Sequence, residues 1–263
     1  MITIDTIREM KGRSEKIVCL TAYDYPTARI LDETGIEIIL VGDSAANVYA
    51  GEKTTLPITM EEMLYHTRIV ARAVKNALVV ADMPFLSFQV SVSDTVYNAG
   101  RFLKAGACAV KLEGGRPVAE TIKRLVELGI PVMGHLGLTP QSVHQLGGYK
   151  LQGQSETDAT RMVEEAELLQ NQGCFSIVLE KIPASLARSI TQRVAIPTIG
   201  IGAGPDCDGQ ILVLHDLLGL FEDFTPKFVK QYAHLGREIR DAVGQYRSEV
   251  KNGTFPGPEQ TFE

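Results

Sequence analysis

Lys111 and Glu113 stand two residues apart in the apolar run Ala109-Val110-Lys111-Leu112-Glu113, which leads into Gly114-Gly115. On a strand, residues i and i+2 share a face, so the ammonium and the carboxylate point the same way and Val110 and Leu112 the other. Burying such a pair is costly unless the charges neutralise one another or hold something. Two uses fit: a structural ion pair locking a core, or part of a site. Polar residues recur where other apolar runs end, at Asp43-Ser44, Asp82, His135 and Glu180.

If the runs are parallel strands, these residues line one mouth, where α/β folds carry their chemistry. Asp43, Asp82 and Glu113 would come from three consecutive strands, and their mutual repulsion would call for a cation. An all-oxygen set suits Mg²⁺ or another hard divalent ion, with water and substrate oxygens completing the shell. No paired His or Cys ligands suggest Zn²⁺. Lys111 would offer a cation to a substrate carboxylate, and Ser44 a hydroxyl and a backbone N–H. A 2-oxo acid could then chelate the metal, which would acidify the C–H beside its ketone. Glu180, after Ile177-Val178-Leu179, is the candidate general base, with a salt bridge to Lys181 or an arginine as the plainer alternative. His135 fits a substrate or supporting contact as well as a structural role. His66 reads as packing or a buried hydrogen bond. His144 carries no signal, and His215-Asp216 could pair at the mouth.

The elements that must position these groups follow from the pattern. Short β-rich runs lie at Lys16–Ala22, Ile36–Val41, Ala77–Ala81, Ala107–Glu113, Ile130–Gly134, Phe175–Leu179, Ile196–Ile199 and Gly209–Leu214. Their Val/Ile/Leu/Ala content with little alternation suits strands covered on both faces. Helical segments fall between nearly all of them. They include one opened by Pro26, one capped by Thr59 with Glu62, one capped by Ser93 or Asp94, and one capped by Thr157 or Asp158. Ala45 to Pro57 reads as loop, and a helical region follows Thr225-Pro226 and fades near Asn252. Eight βα units in this length predict a (β/α)8 TIM barrel, here a single domain over 1-263 with a short N-terminal helix, a C-terminal helical region and a tail. A doubly wound open sheet is the other candidate, but Gly200-Ile201-Gly202-Ala203-Gly204 has the wrong spacing for a dinucleotide fingerprint.

The net charge of -6 disfavours nucleic acid as a partner. No apolar run is long enough to span a membrane, and the N-terminus does not read as a signal peptide. Cys19, Cys108, Cys174 and Cys207 form no CxxC and read as free thiols in a reducing, cytoplasmic setting.

Taken together, Val41-Gly42-Asp43-Ser44, Thr55-Leu56-Pro57-Ile58-Thr59, Ala81-Asp82-Met83-Pro84-Phe85, Val110 to Gly115 and Gly134 to Gln141 resemble the ketopantoate hydroxymethyltransferase family. Leu179-Glu180, Pro197 to Gly204 and Phe255-Pro256 extend the resemblance over nearly the whole chain, in the family's order. The resemblance implies a barrel of the phosphoenolpyruvate mutase/isocitrate lyase superfamily type. It implies hydroxymethyl transfer from 5,10-methylenetetrahydrofolate to 3-methyl-2-oxobutanoate, giving 2-dehydropantoate for pantothenate synthesis. It assigns Mg²⁺ to Asp43, Asp82 and Glu113, oxo-acid contacts to Asp43, Ser44, Asp82 and Lys111, and the base to Glu180. It also implies a cytoplasmic homo-oligomer, commonly a decamer. One departure is Ala45-Ala46-Asn47, where the family usually has Leu-Gly-Met after the serine. A lyase of the same superfamily would use the same acids but would want a loop cysteine or acid. A non-enzymatic scaffold would have no use for the convergent charges.

Overall fold

Eight parallel strands close on themselves in the order β1-β2-β3-β4-β5-β6-β7-β8 in the computed structural model, which describes residues 1–222 and 224–262. They are β1 (Ile17–Thr21), β2 (Ile38–Val41), β3 (Leu78–Asp82), β4 (Ala109–Glu113), β5 (Val132–Gly137), β6 (Ser176–Glu180), β7 (Thr198–Ile201) and β8 (Gly209–Leu212). The chain divides into two compact units, Met1–Val213 with the entire barrel and Leu214–Glu263. The closed sheet agrees with the barrel expectation and excludes the open one.

The barrel interior is set by the two-residue period of its strands. Cys19, Ile38, Leu40, Leu78, Val80, Ala109, Met133, Val178, Ile199 and Ile211 form one buried cluster. Two or four residues further along the same strands come Asp82, Lys111, Glu113, His135 and Glu180. Each therefore continues the inward-facing row of its strand. The lower end of the interior is filled from helix α1 (Ile4–Gly12), whose Ile7 and Met10 belong to the same cluster. Lys11 of this helix spends its three donors on the Thr191 and Ile196 carbonyls and the Asp208 carboxylate, at 2.8, 3.1 and 2.9 Å. A buried apolar plug held by a neutralised cation explains why so short a helix is ordered.

The covering helices are α2 (Tyr25–Glu33), α4 (Met60–Ala73), α5 (Val92–Lys104), α6 (Ala119–Glu127), α7 (Glu156–Asn171) and α8 (Ala184–Arg193), with a short α3 (Ala45–Val48) after β2. Thr59 and Glu62 form the expected capping box of α4. Three boundaries differ from the sequence expectation. Ser91 caps α5 and Ser155 caps α7, two or three residues before those chosen from sequence, because each hydroxyl finds the N3 amide of Asp94 or Asp158. The stretch after Ser44 is not all loop, since α3 forms there. In the second unit, His215 and Asp216 lie on the short helix α9 (Leu214–Leu217) rather than at a strand end, and α10 (Leu235–Asn252) starts well after Pro226. Among the described residues no helix is long and apolar enough to cross a membrane.

Asp32, at the end of α2, ties the entry of β3. Its carboxylate accepts from the amides of Lys75, Asn76 and Ala77 at 2.9, 2.9 and 2.8 Å and from the Asn76 side chain at 3.1 Å. Burial pushes its pKa up, but these donors outweigh burial and hold it below the usual carboxylate value. A depressed folded pKa contributes stability that is present above the unfolded value of about 3.9 and is lost as pH falls through the folded one. Asp32→Ala should cost roughly 3 kcal/mol by urea denaturation at neutral pH. The difference between wild type and variant should shrink on acidification; a pH-independent difference would contradict this account.

Candidate active site

Four strand ends build the mouth on one side of the barrel. Strand register sets Asp82 beside Lys111 and Glu113 beside His135, and pairs Gly137 with Glu180. Lys111 is buried and its Nζ holds both oxygens of Asp82, at 2.8 and 2.9 Å. Glu113 Oε1 is further from that ammonium, at 3.8 Å. The other Glu113 oxygen accepts the Gln141 amide at 3.0 Å. His135 lies between two acids, with Nδ1 3.4 Å from Glu113 Oε1 and Nε2 3.2 Å from Glu180 Oε2. Both contacts have ion-pair distances but lack hydrogen-bond alignment, leaving Glu113 Oε1 and both ring nitrogens without a hydrogen bond.

Asp43 follows β2 and is buried. Its backbone amide reaches Asp82 at 3.4 Å, and its carboxyl accepts from the Gln141 side chain at 3.0 Å. Ser44 Oγ is hydrogen-bonded to the Tyr23 hydroxyl at 2.8 Å. His66 is a packing residue, as its helical position suggests, with Nδ1 2.6 Å from the Tyr23 carbonyl.

The electrostatics follow from burial and count. Burial, then Asp82 and Glu113, push the Asp43 carboxyl well above the usual carboxylate range. Burial also raises Asp82, with Lys111 working against it. Glu113 is held low: burial raises it, but His135 and Lys111 outweigh that. Burial lowers Lys111, yet Asp82 and Glu113 prevail and keep it a cation. For His135, burial and Lys111 push down, but Glu113 and Glu180 hold its pKa up to about 9. The mouth thus contains two built-in cations among four acids, one of which, Asp43, has no cation of its own.

This donor set fits a hard divalent ion. It offers carboxylate oxygens in excess of cations, an orphaned Glu113 oxygen and no soft ligand. The anticipated three-carboxylate cage is not preformed, however. Among the described residues no three His, Cys, Asp or Glu side chains are gathered closely enough to wrap an ion. Lys111 occupies Asp82, and Gln141 occupies Asp43. Such a site suits Mg²⁺, which commonly takes one or two carboxylates and keeps several waters.

Gln141 was not singled out from sequence. It joins Asp43, the Met83 carbonyl at 2.9 Å and Gln89 at 3.1 Å through its side chain, and Glu113 through its amide. The only local signal was its place just after Thr139-Pro140, where a 3-10 turn follows β5. Cys19, Cys174 and Cys207 are poor nucleophiles: burial pushes Cys174 up to about 12 and raises Cys19 and Cys207 as well.

A closed parallel barrel with acids and a lysine at its strand ends defines a class, the (β/α)8 barrels that carry a charged site at one mouth. Solved structures of this fold superpose on the chain. A phosphonopyruvate hydrolase in complex with oxalate and Mg²⁺ is 12% identical with TM-score 0.65, covering 100% of this chain and 92% of that one. A 2,3-dimethylmalate lyase, itself a phosphoenolpyruvate mutase/isocitrate lyase superfamily member, is 18% identical with TM-score 0.62, covering 99% and 92%. Sequence narrows the class. The ketopantoate hydroxymethyltransferase family matches residues 1–258. The 3-methyl-2-oxobutanoate hydroxymethyltransferase of Syntrophus aciditrophicus is 59% identical over 262 residues, covering 99% of this chain and 96% of its own. That of Moorella thermoacetica is 55% identical over 263 residues, covering 100% and 98%. The chain belongs to the ketopantoate hydroxymethyltransferase family and is a transferase of pantothenate biosynthesis.

Two substitutions probe this arrangement. Lys111→Met leaves Asp82 buried without its cation and should cost roughly 3–5 kcal/mol in metal-free denaturation. Added Mg²⁺ should recover part of that loss; a variant as stable as wild type would show that the pair is dispensable. Gly137 has φ +96°, and a Cβ there would sit 2.2 Å from the Glu180 carbonyl oxygen. Gly137→Ala should therefore displace the end of β6 and lower kcat while leaving the rest of the barrel folded by circular dichroism.

Proposed function

We propose that this enzyme transfers a hydroxymethyl group from 5,10-methylenetetrahydrofolate to 3-methyl-2-oxobutanoate, giving 2-dehydropantoate. The observation that carries the reading is the juxtaposition of Glu180, accessible at the mouth, with a buried charge cluster able to grip a 2-oxo acid. The Glu180 side chain is 17% exposed, against 5% or less for Lys111, Asp82 and Glu113. The family membership and the names of the relatives support the oxo-acid acceptor and the transferred hydroxymethyl group.

Lys111 would attract the carboxylate of the oxo acid, and Ser44 would donate a hydrogen bond to it, so the substrate is oriented before any bond changes. Asp43, Asp82 and Glu113 would hold Mg²⁺ through carboxylate oxygens, leaving positions for water and substrate. When bound, the ion supplies Lewis acidity that draws electron density from the keto group and acidifies the adjacent C–H. Glu180 takes the proton from the branched carbon, and the electron pair moves onto the keto oxygen. Lys111 offsets the developing negative charge. His135 stands at ion-pair distance from Glu180 on one side and Glu113 on the other, so its charge attracts both carboxylates. The carbon nucleophile attacks the one-carbon unit of the folate, and water supplies the hydroxyl oxygen as tetrahydrofolate leaves. A cytoplasmic location and a homo-oligomer, decameric by resemblance, accompany this reading, with small molecules as its other partners.

Proton exchange at C3 of 3-methyl-2-oxobutanoate in D₂O, followed by NMR, tests the first half of the reaction. Exchange should depend on Mg²⁺ and fall at least about a hundredfold in Glu180→Gln, the scale of general-base catalysis. Wild-type protein that exchanges nothing, with Mg²⁺ and tetrahydrofolate both present, would refute the assignment.

A further inference from the structure

Lys181 follows Glu180 directly and is one of three described non-glycine residues in the left-handed region, with φ 49°. A lysine gains nothing locally from that conformation, which costs of the order of 1 kcal/mol. The surrounding contacts show what maintains it. The Lys181 amide is held by the Ile201 carbonyl of β7 at 2.8 Å. Its own carbonyl accepts the Gln152 amide at 3.0 Å. Its ammonium turns to the Tyr149 carbonyl. Side chain and backbone of one residue thus grip both ends of Tyr149–Gln152, part of the long connection between β5 and α7.

That segment lies beside the mouth, because the Lys181 that holds it follows Glu180 at the end of β6. The Tyr149 phenol is within electrostatic reach of Asp43, Glu113 and Glu180, acids from three separate strand ends. Burial, followed by these acids, raises its pKa. The residue is 44% exposed. Gly153 closes the segment with φ +70°, where any Cβ would meet Leu186 of α8 at 2.5 Å. The loop is therefore anchored at Gly153 by packing and at Tyr149 by Lys181.

We propose that Lys181 is a positioning residue that ties Tyr149 over the mouth, so that the carbon nucleophile formed at Glu180 meets the folate one-carbon unit before it meets solvent. The proposal rests on the reading of Glu180 as the base. Once the C3 proton has moved to Glu180 and its electron pair to the keto oxygen, two outcomes compete. Either C3 bonds to the one-carbon unit, or it takes back a hydron from Glu180 after that carboxyl has exchanged with water. A covering ring that slows solvent entry favours the first.

The test compares two yields from the same D₂O reaction with 3-methyl-2-oxobutanoate, 5,10-methylenetetrahydrofolate and Mg²⁺. One is deuterium at C3 of recovered oxo acid; the other is 2-dehydropantoate formed. Lys181→Asn keeps a residue that tolerates positive φ but cannot reach Tyr149. It should raise the ratio of exchange to transfer about tenfold, the scale of a modest loss of positioning, and speed amide exchange in residues 149–152. Lys181→Arg should restore both, and Tyr149→Ala should raise the ratio with Lys181 intact. An unchanged ratio in a Lys181→Asn protein whose loop amides are freed overturns the proposal, as does unaltered amide protection. Wild-type enzyme giving neither exchange nor transfer instead overturns the role of Glu180, a failure seen before any variant is made.

Discussion

One buried ammonium organises the mouth of this barrel. Lys111 holds both oxygens of Asp82 and stands 3.8 Å from Glu113, while Asp43 is left to the side chain of Gln141. Burial would make each charge prohibitive alone. Together they are tolerable but unbalanced toward the negative. That imbalance makes the site receptive to a divalent cation and to a substrate bearing oxygens. A fully neutralised pair would have stabilised the barrel and done nothing else.

The barrel supplies the rigidity this arrangement needs. Each charged residue continues the inward row of an apolar strand, so its backbone is fixed by neighbours on both sides. Below it the interior is packed with aliphatic side chains and plugged by α1. The strand ends cannot retreat into that packing, and the polar groups are kept at the one end where solvent and ligand can reach them. His135 carries this order outward. It bridges from buried Glu113 to the more accessible Glu180.

Loops complete the site in ways that strands cannot. Gln141 reaches back from the connection after β5 to join Asp43, Met83 and Glu113, three elements distant in sequence. Lys181 fastens a later part of the same connection beside Glu180. Both use side-chain hydrogen bonds to fix segments of the β5–α7 connection. The departure at Ala45-Ala46-Asn47 is accommodated as the buried start of α3, with Asn47 bonded to the Glu52 carbonyl at 2.8 Å.

The strands, their parallel closure and the acids at their ends were legible in the chain because they depend on local period. An apolar run with Lys111 and Glu113 two residues apart has few ways to be buried, and eight such runs, nearly all separated by helices, favour a barrel over the open sheet. Caps were legible in kind but not in place, since Ser91 and Ser93, or Ser155 and Thr157, differ only in which amide each hydroxyl meets after folding. Two features depended on tertiary structure alone. One is that Lys111 and Gln141 occupy Asp82 and Asp43, so the three carboxylates form no ready cage. The other is the reach of Gln141 to Asp43 and Met83 and of Lys181 to Tyr149. Both are distances between segments far apart in sequence, and residue type and spacing carry no information about such distances until the barrel has closed.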